Sequence, residues 1–483
     1  MKRKIALSTA IIFLLLAGLI AYITYTSLGE NNKEQKPFHV GVAYCGNSVP
    51  DAKALIDKVA NYTNLFVLQS GTLMHDKTAI TAIGDYAVNA GLDIMVYFGS
   101  DSAYYMEQWL ETYDGHWGNK LAGIYFNDEP AGKMLDGEMP FFQEGKSSFR
   151  KMANRAITGY YFDENTTLDY YPDGKIIATV QTNTFAKSQT SNDTSTIEDF
   201  MKETMTQTTY YPNGTTTTSI YPRWGGSPIS SKEGSDLSYT YEELWNARPL
   251  QTVNETSNSY IDQCNTLISR AKDRSSNFTF NNFLTADYAL YWFDYKGGYD
   301  TVLAELGWNN TVAQEIGLVR GAANLQGKDW GTIITWKYTH APYLTDGDEM
   351  FEQMKTSYEA GAQYVVIFNY AEDMSGPYGT LKEEHFEALE HFWNDVVQNP
   401  SVTHGGIKAE AALVLPYNYG WGMRRPDDTI WGLWDANDTS TQIWNQLQQK
   451  LEQYGLKLDI IYDDPACPAS GKYNNIYFWN KTP

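Results

Sequence analysis

The sequence is poor in cysteine, in histidine and in positive charge, and each shortage closes off a class of chemistry. Cys45, Cys264 and Cys467 are too few and too scattered for a disulfide framework or a cysteine zinc site; one disulfide stays open, and an odd count leaves a thiol over. The histidines, His39, His75, His116, His340, His385, His391 and His404, form no HExxH pattern, and His385 and His391 stand six apart, on different faces of a helix. The acidic pairs Asp346/Asp348 and Asp427/Asp428 follow no EF-hand pattern. No metal and no cofactor is therefore expected. With 36 Lys and Arg against 58 Asp and Glu the net charge is −22, which leaves no basic footprint for a nucleic-acid partner. No internal repeat is visible, which argues against a two-lobed solute receptor.

What is present starts at the N-terminus. Lys2, Arg3 and Lys4 precede an uncharged apolar run from Ile5 to about Tyr25. A helix rises ~1.5 Å per residue, so ~20 residues cross a ~30 Å hydrocarbon core. Residues 1–25 thus read as a short cytoplasmic cap and a transmembrane anchor, with the positive flank on the cytoplasmic side and the rest of the chain outside. No clear small-x-small cleavage site precedes Gly29, so the anchor is expected to stay uncleaved. Sequons begin at Asn61, Asn165, Asn192, Asn213, Asn254, Asn277, Asn309 and Asn437; a further one at Asn480 is a poor acceptor because Pro483 follows it. Together they suit a glycosylated surface protein. The 36 Tyr, 14 Trp and 20 Phe are numerous enough to line a surface or a groove, where Tyr and Trp can satisfy their polar atoms.

Residues 26–37 read as a polar linker. Strand-like apolar runs then alternate with helical patterns, the mark of βαβ units. The expected strands are His39–Tyr44, Leu65–Gln69, Asp93–Gly99 and Leu121–Phe126. The rhythm breaks at about 136–236, a stretch rich in Tyr, Thr, Asn and Gly with a turn signal at Asn213-Gly214, read as a β-rich insertion after strand four. Helical material returns at 239–272. Leu284–Phe293, Tyr299–Glu305, Trp330–Lys337 and Gln363–Tyr370 are the expected strands five to eight. Residues 38–400 therefore predict a (β/α)8 TIM-like barrel carrying an insertion. Residues 401–483 predict a small α/β module, with no Gly-rich phosphate loop in it.

In such barrels chemistry gathers at the C-terminal ends of the strands. Strand four ends in Asn127-Asp128-Glu129-Pro130, where a carboxyl near the barrel axis is placed to act as acid, base or nucleophile; the bland alternative is a loop whose acids cap the next helix. Glu305, closing strand six, is the preferred partner of Glu129, with Asp294 as a further candidate near the end of strand five. Lys337, after strand seven, is placed to bind a hydroxyl or an anion. Trp292, Trp308 and Trp336, with Tyr125, are candidates for stacking on sugar faces, although Trp292 and Trp336 fit core packing equally well.

NDEP after strand four, with aromatic-flanked acids after later strands, resembles the (β/α)8 glycoside hydrolases. In many of those families a Glu at the fourth strand end is the general acid/base, and the resemblance carries that role to Glu129. Large clans place the second carboxylate at strand seven, where this chain has Trp336-Lys337-Tyr338, so the resemblance does not reach Glu305. The C-terminal module is similar to the small domains that follow the barrel in some β-galactosidase-like enzymes. The resemblance implies a polysaccharide or glycan substrate, cleaved by a carboxyl pair. A catalytically inactive barrel that binds glycans or belongs to a cell envelope is the alternative.

Overall fold

The computed structural model describes residues 37–99, 103–113, 115–136, 141–143, 147–152, 155–161, 166–171, 173–182, 204–222, 226–246, 252–274, 282–308, 311–370 and 376–481. The apolar run Ile5–Tyr25 lies outside them, and among the described residues no helix is long and apolar enough to cross a membrane.

Four short apolar runs form β1 (His39–Tyr44), β2 (Leu65–Leu68), β3 (Asp93–Phe98) and β4 (Leu121–Phe126). They are buried along almost their whole length, as parallel strands are when helices cover one face and a barrel interior fills the other. The intervening helices α1 (Val49–Val59), α2 (Lys77–Asn89) and α3 (Ala103–Thr112) start where the sequence supplies caps. Ser48 accepts from Asp51 N–H ahead of α1, and the Asp76 carboxylate accepts from Thr78 and Ala79 ahead of α2.

After β4 comes one short helix, α4 (Pro130–Leu135), and then an antiparallel meander. Its strands are β5 (Phe141–Gln143), β6 (Ser147–Met152), β7 (Arg155–Tyr161), β8 (Thr166–Tyr170), β9 (Ile176–Thr182), β10 (Thr204–Tyr210), β11 (Thr216–Pro222) and β12 (Ser230–Glu233), each paired with the next. Asn213-Gly214 forms the turn between β10 and β11, with Gly214 at φ 83° and the Asn213 side chain accepting from Thr215 N–H. Leu168, Tyr170, Ile176, Ala178 and Tyr210 make a small core closed by Leu244 of α5 (Tyr241–Asn246). The long helix α6 (Val253–Arg274) returns the chain to the barrel.

Alternation then resumes through β13 (Phe283–Asp287), α7 (Tyr291–Lys296), β14 (Thr301–Leu306), α8 (Val312–Gln326), β15 (Asp329–Ile334), α9 (Gly347–Ala360), β16 (Tyr364–Ile367) and α10 (Glu383–Phe392). β16 pairs in parallel with β1, His39 opposite Tyr364, and closes an eight-stranded parallel barrel of TIM-like topology. Its interior is filled by Ala43, Leu65, Val67, Met95, Tyr125, Leu284, Ala286, Leu303, Ile333, Tyr364 and Val366. One expectation is corrected here. The fifth strand does not reach Phe293 but stops at Asp287, and Trp292 and Asp294 stand on α7. Residues Tyr291 to Tyr295 are all buried, so this helix shows no polar face and reads as a continued apolar run.

Past the barrel, β17 (Ala411–Leu415), α11 (Asp438–Tyr454), β18 (Leu458–Tyr462) and β19 (Asn475–Phe478) build a three-stranded parallel sheet in the order β18-β17-β19. It packs against α8, where Gly317 and Gly321 allow close approach. A Cβ on Gly317 would lie 2.7 Å from the Leu458 carbonyl oxygen, and one on Gly321 3.0 Å from that of Ile460. Between the two glycines, Arg320 donates to the fully buried Asp459 at 2.8 Å. Cys45, Cys264 and Cys467 are all free, so the disulfide left open by the sequence is not formed.

Candidate active site

Strain marks the C-terminal rim. Asn127 and Glu129 after β4, Leu290 after β13 and Trp308 after β14 all hold positive φ, between 50° and 58°. A non-glycine residue pays about 1 kcal/mol or more for that conformation, so it persists only where neighbours fix it. Around Glu129 the neighbours are plain. Thr285 Oγ1 donates to Asn127 O at 2.5 Å, and Glu129 N–H donates to Ala286 O at 2.9 Å. The buried Asp287 carboxylate accepts from Ala131 N at 2.7 Å, Gly132 N at 2.9 Å and Tyr288 N at 2.8 Å. The end of β13 thus grips the first turn of α4 and fixes the backbone that carries Glu129.

Glu129 lines a cavity of about 520 Å³ together with Asp136, Tyr288, Trp308, Arg424 and Arg425. Glu305, at the end of β14 and only 5% exposed, lies beside the Glu129 carboxyl. Lys133 Nζ stands 3.4 Å from Glu129 Oε2 and donates to Asp128 O at 2.7 Å. Tyr125 donates its hydroxyl proton to Asp128, and Gln69 Nε2 donates to that phenol oxygen at 3.4 Å. Burial, then the charges of Glu129 and Asp128, push Glu305 well above the usual carboxyl range. Burial and the neighbouring Glu129 raise Asp128 to about 6, against the pull of Lys133 and the Tyr125 hydroxyl. Neighbouring carboxyls repel when both ionise, and that repulsion adds to burial in raising Glu305.

An aromatic shelf leads away from the cavity. Trp308, 45% exposed, lies parallel to Trp336 with centroids 6.4 Å apart and 9° between planes. Trp336 in turn meets Tyr370 at 5.6 Å and Tyr343 edge-on at 5.1 Å. Such faces suit the apolar side of a sugar ring.

The C-terminal module supplies another wall. Arg424 makes two bonds to the buried Asp428, Nε to Oδ2 at 2.9 Å and Nη2 to Oδ1 at 2.8 Å, and its Nη1 reaches Asp136 at 3.0 Å. Its guanidinium lies 5.3 Å over the Tyr288 ring, and Tyr288 donates to Asp136 at 2.6 Å. Thr429 Oγ1 also donates to Leu135 O at 3.1 Å, so this loop clasps the C-terminal end of α4.

The structure brings Glu129, Glu305, Asp128, Asn127, Tyr125 and Trp308 together and adds Trp336 through the shelf. Asn127 is buried, next to Phe126, whose carbonyl accepts from the Tyr299 hydroxyl at 3.1 Å. Three nominated residues stand elsewhere. Trp292 packs its ring 5.6 Å from Tyr462 of the C-terminal module. Lys337 pairs with Glu349 beside a separate cavity of about 150 Å³. Asp294 is fully buried, accepting from Tyr260 with its second oxygen unpartnered. Asp136, Tyr288, Arg424 and Arg425 escaped the sequence reading; only Asp287, the last residue of an apolar run, carried a local signal. Asn61, Asn213, Asn254 and Asn437 are exposed, and Asn165, Asn192, Asn277 and Asn309 lie outside the described residues. Among the described residues no group of three or more His, Cys, Asp or Glu could hold a metal ion.

Burial raises Asp294 to about 8 and Glu315 to about 7. A carboxyl raised on folding keeps its proton in the folded chain while the unfolded chain has lost it. Its favourable contribution is therefore present at low pH and lost as pH rises through the folded value. The buried His385 and His404 have lowered values, so they act only below their ordinary value of 6.5 and not in the alkaline window. The melting temperature should fall by a few degrees between pH 6.5 and 8.5, and Asp294→Asn should reduce that slope, with Glu315 and the raised Asp287 and Glu305 supplying the rest. Equal slopes in both proteins, followed by circular dichroism, would discard this account.

No protein-family model matches this sequence, and no curated protein matches it at a significant level.

Proposed function

We propose that the protein is a glycoside hydrolase held at the outer face of a membrane by its N-terminal apolar segment, cutting polysaccharide or glycan chains with the Glu129–Glu305 pair. The observation that carries this reading is a pair of neighbouring carboxyls, Glu129 on the wall and the buried Glu305 beside it, at a cavity edged by the exposed face of Trp308. Glu129, on the cavity wall, gives a proton to the leaving oxygen. Glu305, as the carboxylate, attacks the anomeric carbon as the bond to the leaving oxygen breaks. Water then releases the sugar with Glu129 acting as base. Lys133 orients the Glu129 carboxyl from 3.4 Å, and the Tyr125 hydroxyl holds Asp128 beside it. Trp308 and Trp336 receive the apolar faces of neighbouring sugar units.

Glu305 stands beside Glu129, which places the pair nearer the retaining class than the inverting one. Inverting pairs stand ~6.5–9.5 Å apart and retaining pairs ~5 Å. Retention is therefore the expected stereochemistry. The test screens the purified protein against a glycan panel and follows the first product anomer by proton NMR. An initial product of inverted configuration would remove Glu305 as nucleophile. Binding without turnover on every glycan would favour an inactive glycan-binding barrel.

A further inference from the structure

The same cavity carries a feature that a carboxyl pair does not need. Arg424 and Arg425, the only adjacent arginines in a chain of net charge −22, both line it. Their situations differ. Arg424 is committed, forked onto Asp428, tied to Asp136 and laid over Tyr288. Arg425 has a single ion pair among the described residues, Nε to Asp427 Oδ1 at 3.2 Å, with the two side chains 66% and 81% exposed. A pair so exposed is screened by solvent and yields readily to a better partner. The surrounding walls are acidic: Glu129 and Asp136 face the cavity, and Glu305 and Asp128 stand behind them. A neutral sugar gains little from a guanidinium here, whereas an acidic sugar could not enter this field without one. Arginine presents a planar fork matched to a carboxylate or a sulfate ester.

We propose that the cavity takes acidic saccharides, sugar rings bearing a carboxylate or sulfate ester, and that Arg425 recognises the anionic group. This rests on the hydrolase reading only in that the sugar lies beside Glu129. Arg424 is its positioning partner, since the fork on Asp428 fixes the turn from which Arg425 extends.

The test measures binding rather than turnover, so its failure is separable from failure of the hydrolase reading. Glu129→Gln protein is titrated with matched ligands differing only in charge. One set is uronate oligosaccharides and their carboxyl-reduced counterparts; the other is sulfated oligosaccharides and their desulfated counterparts. One set should show its acidic member binding about tenfold tighter or more, the scale of a charge-assisted bond, and this tells carboxylate from sulfate. The preference should shrink as salt rises from about 50 to about 500 mM. Adding Arg425→Gln should bring the ratio close to one, and Arg425→Lys should restore part of it. Equal binding within both pairs, no binding of any acidic member, or a preference that survives Arg425→Gln in a protein with an unchanged melt would each overturn the proposal.

Discussion

Replacing Glu129 by glutamine is expected to lower kcat by about 10³-fold or more on any glycan the protein cleaves, while the melting temperature moves by only a few degrees. The amide keeps the shape of the side chain and loses its proton chemistry, and a positioned acid or base contributes ~10²–10⁴-fold. Stability is spared because the strained backbone at Glu129 is held by Ala286 O, Thr285 and Asp287, not by the Glu129 carboxylate. The one ion pair lost among the described residues, to Lys133 at 3.4 Å, joins side chains 31% and 28% exposed and is worth under about 1 kcal/mol. The substitution also removes the charge that helps hold Glu305 high. Any residual activity should therefore show its Glu305 limb at lower pH than in the unaltered protein. Turnover within a factor of about ten of the original would take Glu129 out of the mechanism, and a collapsed melt would assign it to structure.

Much of this arrangement is legible in the chain because barrel strands are short, continuous and buried on both faces. His39–Tyr44 and Leu121–Phe126 appear as apolar runs with the boundaries they have in space. The strand-end rule then nominates Glu129 and Glu305 without knowledge of their distance. The rule fails where a buried helix looks like a strand. Tyr291–Lys296 continues the apolar run of β13, so the turn at Leu290, with φ 56°, leaves no compositional trace. The remaining cavity residues are hidden for a different reason. Arg424 meets Asp136 across 288 positions of sequence, and Asp287 meets Gly132 across 155. Neither pairing has a period, a motif or a spacing that could announce it. Strain is equally silent, since Asn127, Glu129 and Trp308 take left-handed backbone with side chains that do not favour it.

The second large effect concerns the joint between barrel and C-terminal module. Arg320→Met should destabilise the protein by about 3–5 kcal/mol, the usual cost of leaving one partner of a buried ion pair uncompensated. Arg320 is 3% exposed and Asp459 fully buried, and the guanidinium also donates to Leu456 O at 2.6 Å. Nothing can slide in to replace it, because Gly317 and Gly321 bring α8 against the Leu458 and Ile460 carbonyls. The variant leaves Asp459 with neutral donors, among them the Tyr473 hydroxyl at 2.9 Å. Adding Asp459→Asn removes the stranded charge while its amide oxygen still accepts from Tyr473, so the double variant should regain about 2 kcal/mol of the loss. Urea unfolding of the two single variants, the double and the parent measures this. A single-variant loss below about 1 kcal/mol would mean that the apolar and glycine contacts alone hold the module. If the joint does loosen, the wall bearing Arg425 moves with it, and preference for acidic saccharides should fall in Arg320→Met even though that residue lies outside the cavity.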